Sequence, residues 1–307
     1  MKYDGIEEGE SIMNNKNRLR IMSHNIWNND KNTPELKSLG EDCSAQARVK
    51  GLMRVYKETM PDVIGCQEAS SLMTDLLAQE FENEKLKYAI IWGRFTPIFY
   101  RADKFELIDT EFYTYPENID GLEGEFNDVK SKAFNICVFR EKVSGKMFVF
   151  ATTHLWWKFD VTDPRCLIDA RAQKCSQAHS DKAREYQLTL LAGKIKEYTD
   201  KYACMGILVG DLNTGYNSKA IQAALNSGFK HAHDIAVEYV EESVGYHDCF
   251  PFGFTKEYSK SPFEDSIDHI LVFDAKYGVV KRFERYSPEY YFPISDHSPV
   301  FIDIILE

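Results

Sequence analysis

Short apolar runs rich in β-branched and aromatic residues recur along this 307-residue chain, and polar or ionisable residues repeatedly interrupt or end them. Nine runs read as strands: LRIMSHNIW from Leu19, DVIGCQ from Asp62, YAIIWG from Tyr88, PIFYR from Pro97, FNICVF from Phe134, MFVFATTHL from Met147, GILVGD from Gly206, IDHILVF from Ile267 and PVFIDIIL from Pro299. That is too many for one simple parallel layer. YAIIWG with TPIFYR, and FNICVF with MFVFATT across Ser144-Gly145, read as antiparallel hairpins. Helical spacing marks residues 45–60, where Val49, Leu52, Met53, Tyr56 and Met60 share a face, and residues 181–199, with Ala183, Tyr186, Leu190, Leu191, Ile195 and Tyr198. A third helix is predicted with Asn217 as its N-cap and Gly228 as its stop. The pattern predicts two mixed sheets packed face to face with helices outside, in one domain spanning 18–307 after a polar lead-in over 1–17. Two long polar segments, 111–132 and 160–181, read as loops, and loops of this length commonly carry function.

Composition narrows the function classes. With 44% apolar residues there is ample material for a core. The net charge of −11 offers no general attraction to polyanions, which disfavours a nucleic-acid-coating role. Seven cysteines cannot all pair internally, and Cys66, Cys137 and Cys204 sit in or beside apolar runs, so they read as reduced core thiols. The first twenty residues contain no apolar stretch of signal-peptide length, and no run is long enough to span a membrane; a cytoplasmic location is the expectation.

The chemistry lies where polar residues meet the strands. Asn25 falls in IMSHNIW, Glu68 ends DVIGCQE, and His154 ends FVFATTH. Asp211 and Asn213 follow ILVG, Asp268 opens DHILV, and Asp296-His297 precede PVFIDI. A carboxylate at the end of a buried strand is costly to desolvate unless something cationic meets it. Gathered at one rim, these residues would suit a hard divalent cation, Mg²⁺ or Mn²⁺, beside a phosphate. Each also has an ordinary structural reading: Asn25 in a bulge, Glu68 capping the helix after it, His154 as a satisfied core histidine, Asp268 as a strand start, GDLNTG as a turn. GDLNTG is not a phosphate loop, because Tyr216 and Asn217 stand where Lys and Ser/Thr are required. G-x-S-x-G, H-E-x-x-H and G-x-G-x-x-G are absent.

From Leu19 to Leu306 the chain resembles the endonuclease/exonuclease/phosphatase family, the deoxyribonuclease I-like metal-dependent phosphohydrolases. Six separated motifs carry the resemblance in family order: MSHNIW, PDVIGCQE, TTHL, GDLN, IDHI and SDHSP. It implies an α+β fold, a four-layer α/β/β/α sandwich of two mixed, mostly antiparallel sheets, with its site at one end. It further implies that Asn25, Glu68 and Asp296 lie around the metal, with Glu68 the principal ligand. Asp211 would orient or deprotonate the attacking water, with Asn213 fixing it or the phosphate. His297, held by Asp268, would contact the phosphate and move protons, with His154 as a second phosphate-binding histidine. Arg184 and Gln187 resemble an R-x-x-Q pattern found in parts of the family, and Tyr246-His247 resemble a segment near the site of bacterial members. Trp156, Trp157 and Phe159 are candidates to stack a base or sugar or touch a lipid surface, with plain core packing as the alternative. The H-x-H-D cluster of His231, His233 and Asp234 reads as a surface feature rather than a second metal site.

The expected activity is hydrolysis of a phosphate ester on a small phosphorylated molecule, a nucleotide or a lipid headgroup. The alternatives are a DNA or RNA nuclease and a catalytically silent module that binds a phosphorylated ligand. Diester or monoester, metal number and oligomeric state are left open by the sequence.

Overall fold

Successive side chains of a strand point to opposite faces, and β1 (Arg18–Asn25) shows the consequence: Leu19 and Ile21 enter one core, Met22 another. The computed structural model describes residues 18–29, 38, 40, 42–240, 266–286, 288–291 and 293–307. The lead-in over 1–17, and Tyr246, His247 and Cys249, lie outside the described residues.

The remaining strands are β2 (Val63–Gln67), β3 (Tyr88–Ile91), β4 (Ile98–Arg101), β5 (Phe105–Thr114), β6 (Ala133–Glu141), β7 (Met147–His154), β8 (Phe159–Asp160), β9 (Ser176–Gln177), β10 (Met205–Asp211), β11 (Phe229–His231), β12 (Glu238–Tyr239), β13 (Asp268–Phe273), β14 (Gly278–Arg285) and β15 (Val300–Leu306). One sheet has the order β12-β14-β15-β1-β2-β4-β3, the other β11-β13-β10-β7-β6-β5, and β8 pairs with β9 alone. Both large sheets are mixed and mostly antiparallel. β1 and β15, the first and last strands among the described residues, lie side by side in the middle of the seven-stranded sheet, with Arg18 opposite Ile305.

Three apolar clusters define four layers. Ile21, Val63 and Ile302 meet Phe148, Ile207 and Ile270 between the sheets. Helices α1 (Ala45–Thr59) and α2 (Ser71–Asn83) set Val49, Leu52 and Leu77 on Met22, Ile64 and Phe99 of the first sheet. After the short helices α3 (Arg165–Ile168) and α4 (Ala170–Lys174), α5 (Ser180–Tyr202) and α6 (Lys219–Asn226) set Leu191, Ile195 and Ile221 on Ile136, Val149 and Leu208 of the second. The result is an α/β/β/α sandwich. No helix among the described residues is long and apolar enough to cross a membrane. None of the six described cysteines is in a disulfide, and Cys66, Cys137 and Cys204 are buried.

All nine strands read from the sequence are present, together with both hairpins. Several expectations need correction. Segment 111–132 is not wholly a loop, because β5 continues to Thr114 and pairs with β6; it is an edge strand, so charged residues alternate along it and dilute the apolar signal. β14 carries charges as well, because only the two-residue edge strand β12 pairs with its outer side. Segment 160–181 contains α3, α4 and β9. The N-cap of α6 is Ser218, whose hydroxyl accepts the Ile221 N–H, one residue later than Asn217.

One buried histidine makes the fold sensitive to acid. His24 lies between α1 and the first sheet, its Nδ1 3.1 Å from the Tyr56 hydroxyl and its Nε2 2.5 Å from that of Tyr291. Burial, aided by the cations of His297 and Arg48, pushes its pKa down to about 3. The unfolded chain takes up this proton near 6.5, whereas the folded chain refuses it until about 3. Protonation therefore favours the unfolded state throughout that window, and the stability held above pH 6.5 is lost on acidification. Urea unfolding should show His24→Gln less stable than wild type at pH 7.5, the gap narrowing by about 1.4 kcal/mol per pH unit below 6.5. Parallel profiles would show that His24 is not the group responsible.

Candidate active site

Strand polarity assembles the site. The parallel pair β1/β2 sets Asn25 beside Gln67, and the parallel pair β7/β10 sets His154 beside Asp211. β13 and β6 run the opposite way, so their first residues, Asp268 and Ala133, lie opposite Asp211 and His154. β15 likewise starts beside the end of β1. The ends of four strands and the beginnings of three thus share one rim. The two sheets come close beneath it: a Cβ on Gly65 would sit 2.6 Å from Val209 Cγ2 and 2.7 Å from Thr152 Cβ, so only hydrogen fits. At the rim Glu68 and Asn213 take left-handed backbone conformations, φ 55° and 51°, uncommon for residues other than glycine.

Asp211 is the hub. Its Oδ2 accepts from Asn25 Nδ2 at 2.9 Å, and its Oδ1 accepts from the Asn213 backbone N–H at 2.9 Å. Asn213 Nδ2 donates to the Leu155 carbonyl at 3.1 Å, which holds the GDLN turn against the end of β7. His297 Nε2 lies 3.8 Å from Asp211 Oδ2, and its Nδ1 is 2.8 Å from Asp268 Oδ2. The Tyr291 hydroxyl donates to the His297 carbonyl at 2.6 Å, and the Ser295 hydroxyl to the Asn25 carbonyl at 2.8 Å, tying the segment before β15 to β1. Arg48, buried in α1, donates to the carbonyls of Ile26, Asn28 and Ile294 and clamps the same two segments.

Buried charges perturb one another here. Burial pushes the Asp211 carboxyl up to about 7; Asp268 adds to this, while His297 and Lys132 pull against it. Burial alone would neutralise His297, but the Asp268 and Asp211 carboxylates outweigh it and raise its pKa well above the ordinary histidine value. His154 is the reverse: burial, then the cations of Lys132 and His297, hold it neutral, so its 3.4 Å approach to Asp211 is not an ion pair. One rim thus carries a neutral imidazole and a charged one.

Lys132 was not among the residues singled out in the sequence. It is buried, its Nζ lies 3.0 Å from His154 Nε2, and burial lowers its pKa against the pull of Glu68, Asp128 and Asp211. Its signal is the one that exposed Glu68 and Asp211, a polar residue against an apolar strand. It sits at a strand's beginning, and only the antiparallel pairing of β6 with β7 brings that beginning to the rim.

Among the described residues, two groups of three side chains hold potential metal-ligating atoms within 4.8 Å of one another: Glu68, His154 and Asp211, and Asp211, Asp268 and His297. The second is the hydrogen-bonded dyad with its neighbour. In the first, His154 Nε2 is engaged by Lys132, whereas the half-buried Glu68 carboxylate has only a 3.4 Å contact from Asn25 Nδ2. Glu68 is thus the least satisfied of the three and, as an oxygen donor, fits a hard cation. Asn25 turns its NH₂ group toward the carboxylates, and its Oδ1 accepts from the Trp27 N–H at 3.0 Å. Half-buried Asp296 belongs to neither group; its charge acts on Arg48 and His297.

A cleft of about 430 Å³ opens over these residues, lined by Glu68, Lys132, His154, Asp211, Asn213 and His297, with Phe95, Trp157 and Phe159 at its sides. Trp157 is part-exposed there, its indole N–H donating to Asp128 at 2.9 Å. Trp156, a candidate substrate contact with core packing as its alternative, and Arg184, a candidate substrate contact from the R-x-x-Q resemblance, do not face the cleft. Trp156 is buried, with its indole N–H on Ser180 and its backbone N–H on Gln187, so it is core. Arg184 is buried too, donating to the Trp156 and Lys158 carbonyls, and braces the segment carrying Trp157 rather than facing the cleft. His231 is not a surface residue; it is buried against His269 at 3.0 Å. His247 lies outside the described residues.

No protein-family model matches the sequence, and no curated protein matches it. Solved structures do match. An endonuclease/exonuclease/phosphatase family protein from Bacteroides thetaiotaomicron is 21% identical over 94% of this chain and 95% of its own, with a TM-score of 0.69. A mannosyl-6-phosphatase from the same organism is 20% identical over 94% of this chain and 100% of its own, with a TM-score of 0.65. D. rerio TDP2, complexed with single strand DNA product, is 16% identical over 94% of this chain and 98% of its own, with a TM-score of 0.61.

Proposed function

We propose that this chain, which has the endonuclease/exonuclease/phosphatase fold, belongs to that family as a divalent-metal-dependent hydrolase of phosphate esters. The observation that carries the reading is the pairing at one cleft of a raised carboxyl, Asp211, with a cationic imidazole, His297, fixed by Asp268. A phosphate ester is an anion and repels an incoming hydroxide. Its hydrolysis needs positive charge on the phosphate oxygens and a base for the water.

The chain's own side chains divide that work. Asp211, with one oxygen held by Asn25 and the other by the Asn213 N–H, is the base that accepts the water's proton. A carboxyl raised toward neutrality suits that role at physiological pH. His297 presents its Nε2–H to the phosphate, and Asp268 keeps the ring charged and oriented. Lys132 adds a second cation beside His154, and its hydrogen bond orients that imidazole. Glu68 is the residue proposed to hold Mg²⁺ or Mn²⁺, with Asn25 and Asp296 nearby. When bound, the cation supplies Lewis-acid neutralisation of the phosphate oxygens.

The preferred substrate is a small phosphorylated molecule or nucleotide, because a net charge of −11 opposes long polyanions. Similarity to both a mannosyl-6-phosphatase and TDP2 supports phosphate-ester chemistry without choosing between monoester and diester. The deciding assay is hydrolysis of p-nitrophenyl phosphate and methyl p-nitrophenyl phosphate. Turnover should appear with Mg²⁺ or Mn²⁺, vanish with chelator and return on metal addition. If no phosphate compound in a broad panel of nucleotides, sugar phosphates, lipids and short oligonucleotides is hydrolysed, the catalytically silent binding module is the better account.

A further inference from the structure

A second and larger groove, about 860 Å³, adjoins the catalytic cleft. The two share Phe95 as a wall, and a β-bridge joins Phe95 to Ala69, the residue after Glu68. Its lining is unlike that of the cleft. Trp92 is 55% exposed, Leu72 44% and Phe112 40%, and all three converge there from different elements: the β3–β4 connection, α2 and β5. Scattered exposed apolar residues are ordinary, but three gathered in one concavity beside a reactive centre are not. The Trp92 indole N–H has no hydrogen-bond partner among the described residues, so no hydrogen bond there accounts for the ring's exposed position. Arg94 is the one charged residue among those lining the groove, and it is cationic in a strongly anionic protein.

A part-exposed indole and phenyl ring present flat apolar faces, and such faces favour another ring. The groove volume lies within the range of small-molecule sites and exceeds what a phosphate or a methyl group would fill. We propose that this groove is a subsite for a planar aromatic ring carried by the substrate, a nucleobase or an aryl group, whose phosphate lies in the adjoining cleft. The inference rests on the hydrolase reading above and adds to it a substrate class: ring-bearing phosphate esters over sugar or alkyl phosphates. The occupant is a part of the substrate, because the groove shares the Phe95 wall with the cleft and is lined by Ala69, the residue after Glu68.

The test measures binding, so it does not depend on turnover. Calorimetry on the full chain with Mg²⁺ compares three non-hydrolysable ligands: methylphosphonate, benzylphosphonate, and the phosphonate analogue of adenosine 5′-monophosphate. At least one ring-bearing ligand should bind about tenfold or more tightly than methylphosphonate. Trp92→Ala should remove about tenfold from that ligand alone, Phe112→Ala should act in the same direction, and Trp92→Phe should restore most of the loss. Benzylphosphonate and the adenosine analogue separate a short aryl group from a nucleoside that reaches deeper. Equal affinity for all three ligands, or a Trp92→Ala variant that keeps the ring preference, overturns the subsite. If esters are hydrolysed while Trp92 is indifferent, the subsite falls alone. If nothing is hydrolysed while the ring preference still depends on Trp92, the hydrolase reading falls and the subsite stands.

Discussion

Asp211→Asn is expected to lower the turnover of any phosphate ester this protein hydrolyses by about 10²–10⁴-fold, the range for loss of a general base. The substitution keeps the side chain's size, removes its capacity to take a proton, and turns one of its two accepting oxygens into an NH₂ group that faces the Asn25 amide or the Asn213 N–H. It should not weaken the fold. Asp211 is buried with its pKa pushed up to about 7, so it is harder to ionise in the folded protein than in the unfolded one. Its contribution to stability is greatest below the unfolded value near 4 and is lost as pH rises through about 7. Asparagine has no charge to bury, and at pH 8 that gain outweighs the one accepted hydrogen bond it loses, so without divalent ions the variant should be at least as stable as wild type. Loss of rate with retained or raised melting temperature, measured by steady-state kinetics and thermal unfolding, is the signature of a group held at a cost for chemistry. Near-normal turnover would remove Asp211 from the mechanism.

Glu68→Ala should reduce turnover by at least about 10²–10³-fold and, unlike Asp211→Asn, weaken the binding of Mg²⁺ or Mn²⁺ measured directly by calorimetry. The contrast follows from geometry. Asp211 is hydrogen-bonded through both oxygens, whereas Glu68 has a single long contact and faces the open cleft. Removing Glu68 takes away the oxygen donor best placed for a cation, while removing the Asp211 charge leaves that donor intact. If Glu68→Ala bound metal as tightly as wild type, the cation would have to be sought elsewhere.

These assignments draw on residues visible in the sequence to different degrees. Strands buried between two layers, such as β2 and β10, were legible because every residue along them is apolar or small up to the polar residue that ends each, Gln67 and Asp211. β5 and β14 were not, because charged side chains are spaced along both. Polar residues at strand ends marked Asn25, Glu68, His154, Asp211, Asp268 and His297, since a charge there needs a reason. Lys132 carries the same mark, but it stands just before a strand at the end of a long polar segment, where one more polar residue gives no signal. Which end of a strand reaches the rim is decided by pairing direction, and periodicity does not encode that. Trp156 and Trp157 are neighbours of the same type, yet one is core and the other lines the cleft. Only the packing of α5, whose Ser180 and Gln187 bond to Trp156, separates them.

The pairing of β1 with β15 has a bearing on biosynthesis. Asn25 and His297, 272 positions apart, come within 3.4 Å only when the final strand has docked beside the first. A chain still emerging from the ribosome holds β1 without that neighbour until β15 has been made, a contact of the kind that slows folding. Competence for hydrolysis should therefore switch on in a single late step, and a translation product that stops short of β15 should be inert rather than partly active.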